Sequence, residues 1–400
     1  MNRPTRSSCH SPGDDGHPRV ICVMARILDQ DDGLGVYADN LLRQLFVLDP
    51  DTCYHIVLRT ARHLNRYDSF RNVKTRVLSN RVKLAWDQVT VPRYARRVGA
   101  DIIFNPKFTL PLFSRRPGVF VLHGSDWYVN PGNYTWWDNL NIRIALPLYA
   151  RRARHMLAIS RTIVEDLVSH AGIDASKVTV SYAAPSPHFL DSADPEAVST
   201  LIARLGLPSG YIFSVARAYH TGHGSQPEYP GGNVEGLIAG YRHYRSGGGS
   251  LPLVIAGDRI EEYLVARGYH DRDLERVHFT GYVPHDEMPL LYRGARFFVL
   301  TTLYESFSLP LVEALACGCP VIAPSTGACP EVAGEAARFV DPRDYASIGD
   351  AMRELDQSGD LRAALREAGL QRTRRFSWSS VAEKTLSVFD RICAPPVRQE

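Results

Sequence analysis

Short apolar runs rich in β-branched residues alternate with stretches of helical period along almost the whole chain, and the alternation restarts halfway. In the first half the strand-like runs fall at 19–24, 54–59, 75–79, 101–105, 119–123, 156–160 and 178–182. Helix-period stretches separate several of them, at 35–47, 84–98, 136–154 and 161–170. Strand and helix in repeated succession predict a parallel sheet covered on both faces. After Pro208-Ser209-Gly210 the pattern begins again, with strands expected at 211–215, 253–256, 277–279, 297–300 and 320–323. Two such series in 400 residues predict two doubly wound α/β domains, with ligands held at the carboxyl ends of the strands. The expected division is a disordered tail over 1–17, a first domain over 18–190, a linker over 191–210, a second domain over 211–375 and a closing helix over 376–394.

Several classes are disfavoured by what the chain lacks. No apolar run approaches the roughly 20 residues that span a bilayer, and residues 1–17 are polar without the apolar stretch of a secretory signal. The seven cysteines show no paired spacing, which argues against a zinc site or a disulfide framework and suits a cytoplasmic protein. Charge is uneven: residues 1–190 carry 25 basic against 16 acidic side chains, and the remainder 21 against 27. A basic first half can face an anionic membrane surface or a phosphorylated acceptor, or be a solvated arginine-rich surface. Its arginines are scattered without aromatic platforms, so no nucleic-acid partner is expected.

The residues 303–323, LYESFSLPLVEALACGCPVIA, carry the chemistry. Glu305 follows a strand, and Ser306 to Pro310 lead into a helix bearing Glu313. A helix N-terminus offers unpaired amides and a positive dipole end, a site for a diphosphate. Glu313, one turn inside, can accept from a ribose diol while Glu305 faces a hexose. Two carboxylates on a surface helix would read the same way. Asp32-Gly33-Leu34-Gly35 opens the first helix, where glycines allow backbone amides close to a phosphate or sugar. The third glycine and distant acid of a dinucleotide fingerprint are missing, which argues against a nicotinamide cofactor.

Taken together, Gly281-Tyr282-Val283, Leu291-Tyr292, Glu305 and Glu313, Pro330-Glu331-Val332-Ala333-Gly334 and Val340-Asp341-Pro342 resemble glycosyltransferase family 4. The resemblance implies a GT-B fold, two Rossmann-like domains facing across a cleft, with the last helix crossing back to the first domain. It implies a retaining transferase that moves a hexose, in many members mannose, from a nucleotide diphosphate sugar to a glycan or lipid-linked acceptor in polysaccharide biosynthesis. Donor contacts would come from Gly33, Gly35, Arg217, Tyr282, Phe307, Ser308, Leu309 and Glu313, with His123, Glu305 and Arg217 in catalysis.

Two departures from the family pattern stand out. His123 is followed by Gly124-Ser125-Asp126, where an aspartate usually follows directly. The lysine expected a few residues after Arg217 is absent: an insertion over 218–230 leads to Gly231-Gly232-Asn233, a possible phosphate loop. His220, His223 or the backbone of Gly231 and Gly232 could replace that lysine. Asp271-Arg272-Asp273 is placed in a helical surface stretch, so metal-independent chemistry is expected, with no cofactor. Rival readings are a sugar-nucleotide-binding protein without turnover, an epimerase and a phosphorylase.

Overall fold

The computed structural model describes residues 18–29, 33–192, 194–216 and 232–394. Arg217, Gly231, the 218–230 insertion and the 1–17 tail lie outside the described residues. The chain divides into two compact units, the first drawn from residues up to 129, 135–183 and 377 onward, the second from 130–134 and 184–376.

In the first unit seven strands form one parallel sheet: β1 (Val20–Met24), β2 (Cys53–Leu58), β3 (Val73–Val77), β4 (Ile102–Asn105), β5 (Gly118–Leu122), β6 (His155–Ala158) and β7 (Val178–Val180), in the order β3-β2-β1-β4-β5-β6-β7. Every pair is parallel. The central strands are buried on both faces, which explains their unbroken apolar sequences. The order reverses between β1 and β4, so the chain leaves the two strands in opposite directions and opens a crevice at their carboxyl ends. The Trp378–Cys393 helix belongs to this unit: Trp378 meets Tyr37 edge-on at 5.4 Å and Phe389 meets Phe104 at 5.3 Å.

The second unit holds β8 (Ile212–Val215), β9 (Leu253–Ala256), β10 (Val277–Gly281), β11 (Phe297–Val299), β12 (Val321–Pro324) and β13 (Ala337–Val340), in the order β10-β9-β8-β11-β12-β13, again parallel. Here the switch lies between β8 and β11. The predicted class, two parallel sheets flanked by helices, is the class observed.

Three local expectations differ from the structure. The segment 191–210 is no irregular linker; it carries the Pro195–Arg204 helix, capped by Asp194 accepting from the Glu196 amide, within the second unit. The expected helix over 84–98 is interrupted by a π turn at Trp86–Thr90. Pro92 has no N–H to pair with the carbonyl four residues back, and Gln88 turns its side chain to the Leu110 carbonyl and the Leu112 amide. Asp271 to Asp273 lie in turns rather than a helix.

Candidate functional site

The second unit places the two motif glutamates at the carboxyl end of β11. Residues 300–308 leave this strand and turn into the Leu309–Ala316 helix, whose N-terminus has no side-chain cap. Ser308, the residue before it, is buried at φ +71° and ψ 90°, a conformation strained for any side chain. Its Oγ is buried without a hydrogen-bond partner among the described residues. An uncapped helix end beside a strained, unsatisfied hydroxyl leaves donors for a ligand's acceptor oxygens.

Glu305 is held by its backbone. The Ala328 amide donates to the Glu305 carbonyl at 2.8 Å, and Thr326 Oγ1 donates to the Leu303 carbonyl at 2.9 Å. Gly327, at φ +58°, lies beneath it: a Cβ there would meet the Glu305 carbonyl oxygen at 2.5 Å and its nitrogen at 2.8 Å. The loop after β12 therefore fixes Glu305 through a glycine that lets two backbones touch.

Glu313 is 5% exposed. His285 Nε2 lies 3.0 Å from its Oε1, and this His285 is steadied by His188, whose Nε2 donates to the His285 carbonyl at 3.1 Å. The Phe189 ring lies 5.0 Å from the His285 ring. Burial and the neighbouring Glu313 carboxylate hold the Tyr292 phenol well above its ordinary range. His285 is absent from the residues that sequence reasoning selects. Nothing in Pro284-His285-Asp286 announces a partner 28 residues away.

Across the switch point, Asn233 takes a left-handed conformation at φ 54° and closes the loop toward β11. Its Nδ2 donates to the carbonyls of Thr301 and Pro342, each at 2.8 Å, while Thr301 Oγ1 donates back to the Asn233 carbonyl at 3.2 Å. Gly236 makes room for that side chain, since a Cβ would meet Asn233 Oδ1 at 2.4 Å. Asn233 is thus a loop anchor, adjoining Gly232. Phe307 is buried against Phe376 at 5.7 Å, which leaves only its main chain to face a ligand. Tyr282 stands apart, 72% exposed at the carboxyl end of the edge strand β10.

In the first unit Gly33 and Gly35, expected to open the first helix, lie in the first turn of the Gly33–Leu48 helix. A helix's first turn suits an anion. His123 follows β5, and its Nε2 lies 2.7 Å from the Pro106 carbonyl. A carbonyl only accepts, so Nε2 carries a proton there. Tyr37 packs edge-on against the ring at 4.7 Å. Ser160 caps the next helix by accepting from the Ile163 amide, a structural role.

A second group in this unit was not foreseen. Arg26, after β1, pairs with buried Asp87 at 3.2 Å. Burial raises the Asp87 carboxyl, against the pull of Arg26, Lys83, Lys107 and Arg59 around it. Burial likewise lowers Arg26 and Lys83, each felt by the other cations. Asp87 Oδ1 has no partner among the described residues. Four cations around Asp87, with Asp29 also acting on Arg26, stand beside the ends of β1, β2 and β4 and leave an excess of positive charge for an anionic group. Their positions, scattered over eighty residues, hide the cluster from a linear reading.

Among the described residues no three His, Cys, Asp or Glu side chains converge as metal ligands do, and Asp273 is engaged by Arg242 at 3.1 Å.

Two family models match the chain: "Glycosyltransferase Family 4" over residues 32–184 and "Glycosyl transferases group 1" over residues 232–372. The chain is 31% identical over 169 residues to O-antigen chain mannosyltransferase B of Escherichia coli, covering 40% of this chain and 43% of that protein. It is 24% identical over 247 residues to the serotype-specific mannosyltransferase WbdA of the same species, covering 60% of this chain and 29% of that protein. The matches therefore span less than half of either relative. Among solved structures, that of Anabaena HepE with UDP-glucose superposes with a TM-score of 0.71 at 15% identity, over 94% of this chain and 100% of the other.

Proposed function

This chain belongs to glycosyltransferase family 4, and from that premise we propose that it is a retaining hexosyltransferase using a nucleotide diphosphate sugar. The observation that carries the reading is the uncapped helix N-terminus at the β8/β11 switch point, flanked by buried Glu313 and backbone-clamped Glu305. Glu313, with one oxygen engaged by His285, accepts from the donor ribose through the other. The Leu309 amide and the Ser308 hydroxyl bind the diphosphate, joined by Arg217 and the Gly231-Gly232 backbone. Glu305 orients the hexose hydroxyls. Charge on the leaving diphosphate is met by Arg217 and the helix dipole, so the reaction needs no metal.

The first unit takes the acceptor. Gly33 and Gly35 open the first helix, His123 acts in catalysis, and the Arg26 group neutralises an anionic acceptor such as a phosphate-linked lipid or glycan. Mannose is the sugar named in both curated relatives, and polysaccharide assembly at the inner face of a membrane fits an anionic lipid-linked acceptor. No helix among the described residues is long and apolar enough to cross a membrane; the basic first unit offers peripheral attachment.

The test is release of nucleotide diphosphate from a donor panel (GDP-mannose, UDP-glucose and UDP-N-acetylglucosamine) with acceptor lipids and without added metal. Release from one donor supports the transferase. Tight donor binding with no release from any of them would instead support a sugar-nucleotide-binding protein, with Gly232 in place of the usual lysine as the physical reason.

A further inference from the structure

The helix Trp136–Arg152 is apolar on both of its long faces. Ile142, Leu146, Tyr149 and Ala150 point inward and are buried. Trp136, Trp137, Leu140, Ile144 and Leu148 point the other way and are exposed, Trp136 at 72%, Trp137 at 55% and Ile144 at 56%. At about 100° per residue the exposed set forms one stripe roughly 120° wide, running the length of the helix, with Arg151 continuing it at the end. A soluble helix buries one such stripe; this one leaves a second uncovered.

Basic side chains collect at the carboxyl end of the same stripe. Arg115, Arg151, Arg154 and Lys177 share one surface concavity whose lining contains no carboxylate. Arg115, Arg151 and Arg154 make no ion pair among the described residues, while Lys177 lies within electrostatic reach of Asp174. Arg152 donates to the carbonyls of Ser114 and Arg116, which fastens the loop carrying Phe113 to this end of the helix. Phe113 is 89% exposed there. The patch thus combines two tryptophans at one end, an aliphatic row, and an aromatic side chain among unpaired arginines at the other.

We infer that this stripe is a membrane-docking surface, seated in the headgroup layer of a bilayer rich in anionic phospholipid. The chemistry selects that partner. Tryptophan settles at the boundary between acyl chains and headgroups, aliphatic side chains bury a short way below it, and unpaired arginines meet lipid phosphates. The inference rests on the reading of the first unit as the membrane-facing one and names the elements that do the docking. The same helix puts Tyr149 within the electrostatic reach of Arg26 and Asp87.

The experiment uses the full chain and vesicles of phosphatidylcholine with and without phosphatidylglycerol. Binding is read by co-sedimentation and by the blue shift of tryptophan emission, and the variants are W136S/W137S/I144S and R151E/R154E. The wild type is expected to bind the phosphatidylglycerol vesicles, weakly at high salt, and each variant to lose about tenfold or more in affinity. All of the substituted side chains are exposed, all but Arg154 on the stripe itself, and unchanged circular dichroism and donor binding verify that each variant is folded. Equal vesicle binding by wild type and both variants would overturn the assignment to this helix while leaving a membrane-facing unit. No vesicle binding by the wild type would overturn both. A dimer of the wild type that the serine variant abolishes would make a second copy the partner, and that too would overturn the inference.

Discussion

His285 Nε2 and Glu313 Oε1 lie 3.0 Å apart, joining a histidine in the loop after β10 to a glutamate one turn inside the Leu309–Ala316 helix. The pairing fixes one oxygen of a carboxylate that is 5% exposed, and so determines how the other is presented. If Glu313 holds the donor ribose, His285→Ala should weaken donor binding by roughly fivefold, the worth of about 1 kcal/mol for a partly exposed hydrogen bond, with kcat nearly unchanged. His285→Gln, which can donate from a similar place, should recover most of that loss. Calorimetric titration with donor and steady-state kinetics read the two effects separately.

Ser308 combines a positive φ with a buried, unpartnered hydroxyl. Ser308→Gly removes the strain of a side chain at φ +71° and should raise thermal stability by up to about 1 kcal/mol. The same change removes a diphosphate contact, so donor affinity should fall while the melting temperature rises. Thermal denaturation followed with and without donor measures both.

Gly327→Ala tests the clamp on Glu305. The new Cβ would sit 2.5 Å from the Glu305 carbonyl oxygen at a left-handed φ of +58°. The loop must shift, and a displacement near 1 Å at a reacting centre can cost about a hundredfold in turnover. Donor binding through Glu313 should change far less. A variant with wild-type kcat would show that Glu305 does not depend on this contact.

The first unit should lose stability in mild acid. His55 is buried beside Lys74 and Arg76, and burial first, then those charges, push its pKa from 6.5 down to about 4. The folded state therefore keeps the ring neutral, with Nδ1 2.8 Å from the Tyr94 hydroxyl. Above pH 6.5 neither state is protonated there and stability is whole. As pH falls from 6.5 to about 4 the unfolded chain gains a proton that the fold refuses, a loss of up to about 3 kcal/mol. Urea midpoints across that window should slope less steeply in His55→Gln than in the wild type.

How much of this could be read from the sequence follows from the range of each interaction. Strands such as β4 and β5, buried on both faces, leave unbroken apolar runs and were legible. β13 was not, because Arg338 points outward in the middle of a four-residue strand and breaks the run. The Pro195–Arg204 helix had its Asp-Pro start in view, yet its polar face obscured the period. Glu305 and Glu313 were visible because a strand end and a helix start are local signals. Gly327 under Glu305, His285 beside Glu313 and the four cations around Asp87 were not, since each joins segments that only the folded chain brings together.

The most direct test of the central claim compares wild type and Glu305→Gln in single-turnover release of nucleotide diphosphate from the preferred donor, with donor affinity measured on the same samples. The account predicts release slowed by about a hundredfold or more while affinity stays within about threefold, because Glu305 acts on the reacting hexose and not on the nucleotide. Release at the wild-type rate would contradict it and remove Glu305 from the chemistry.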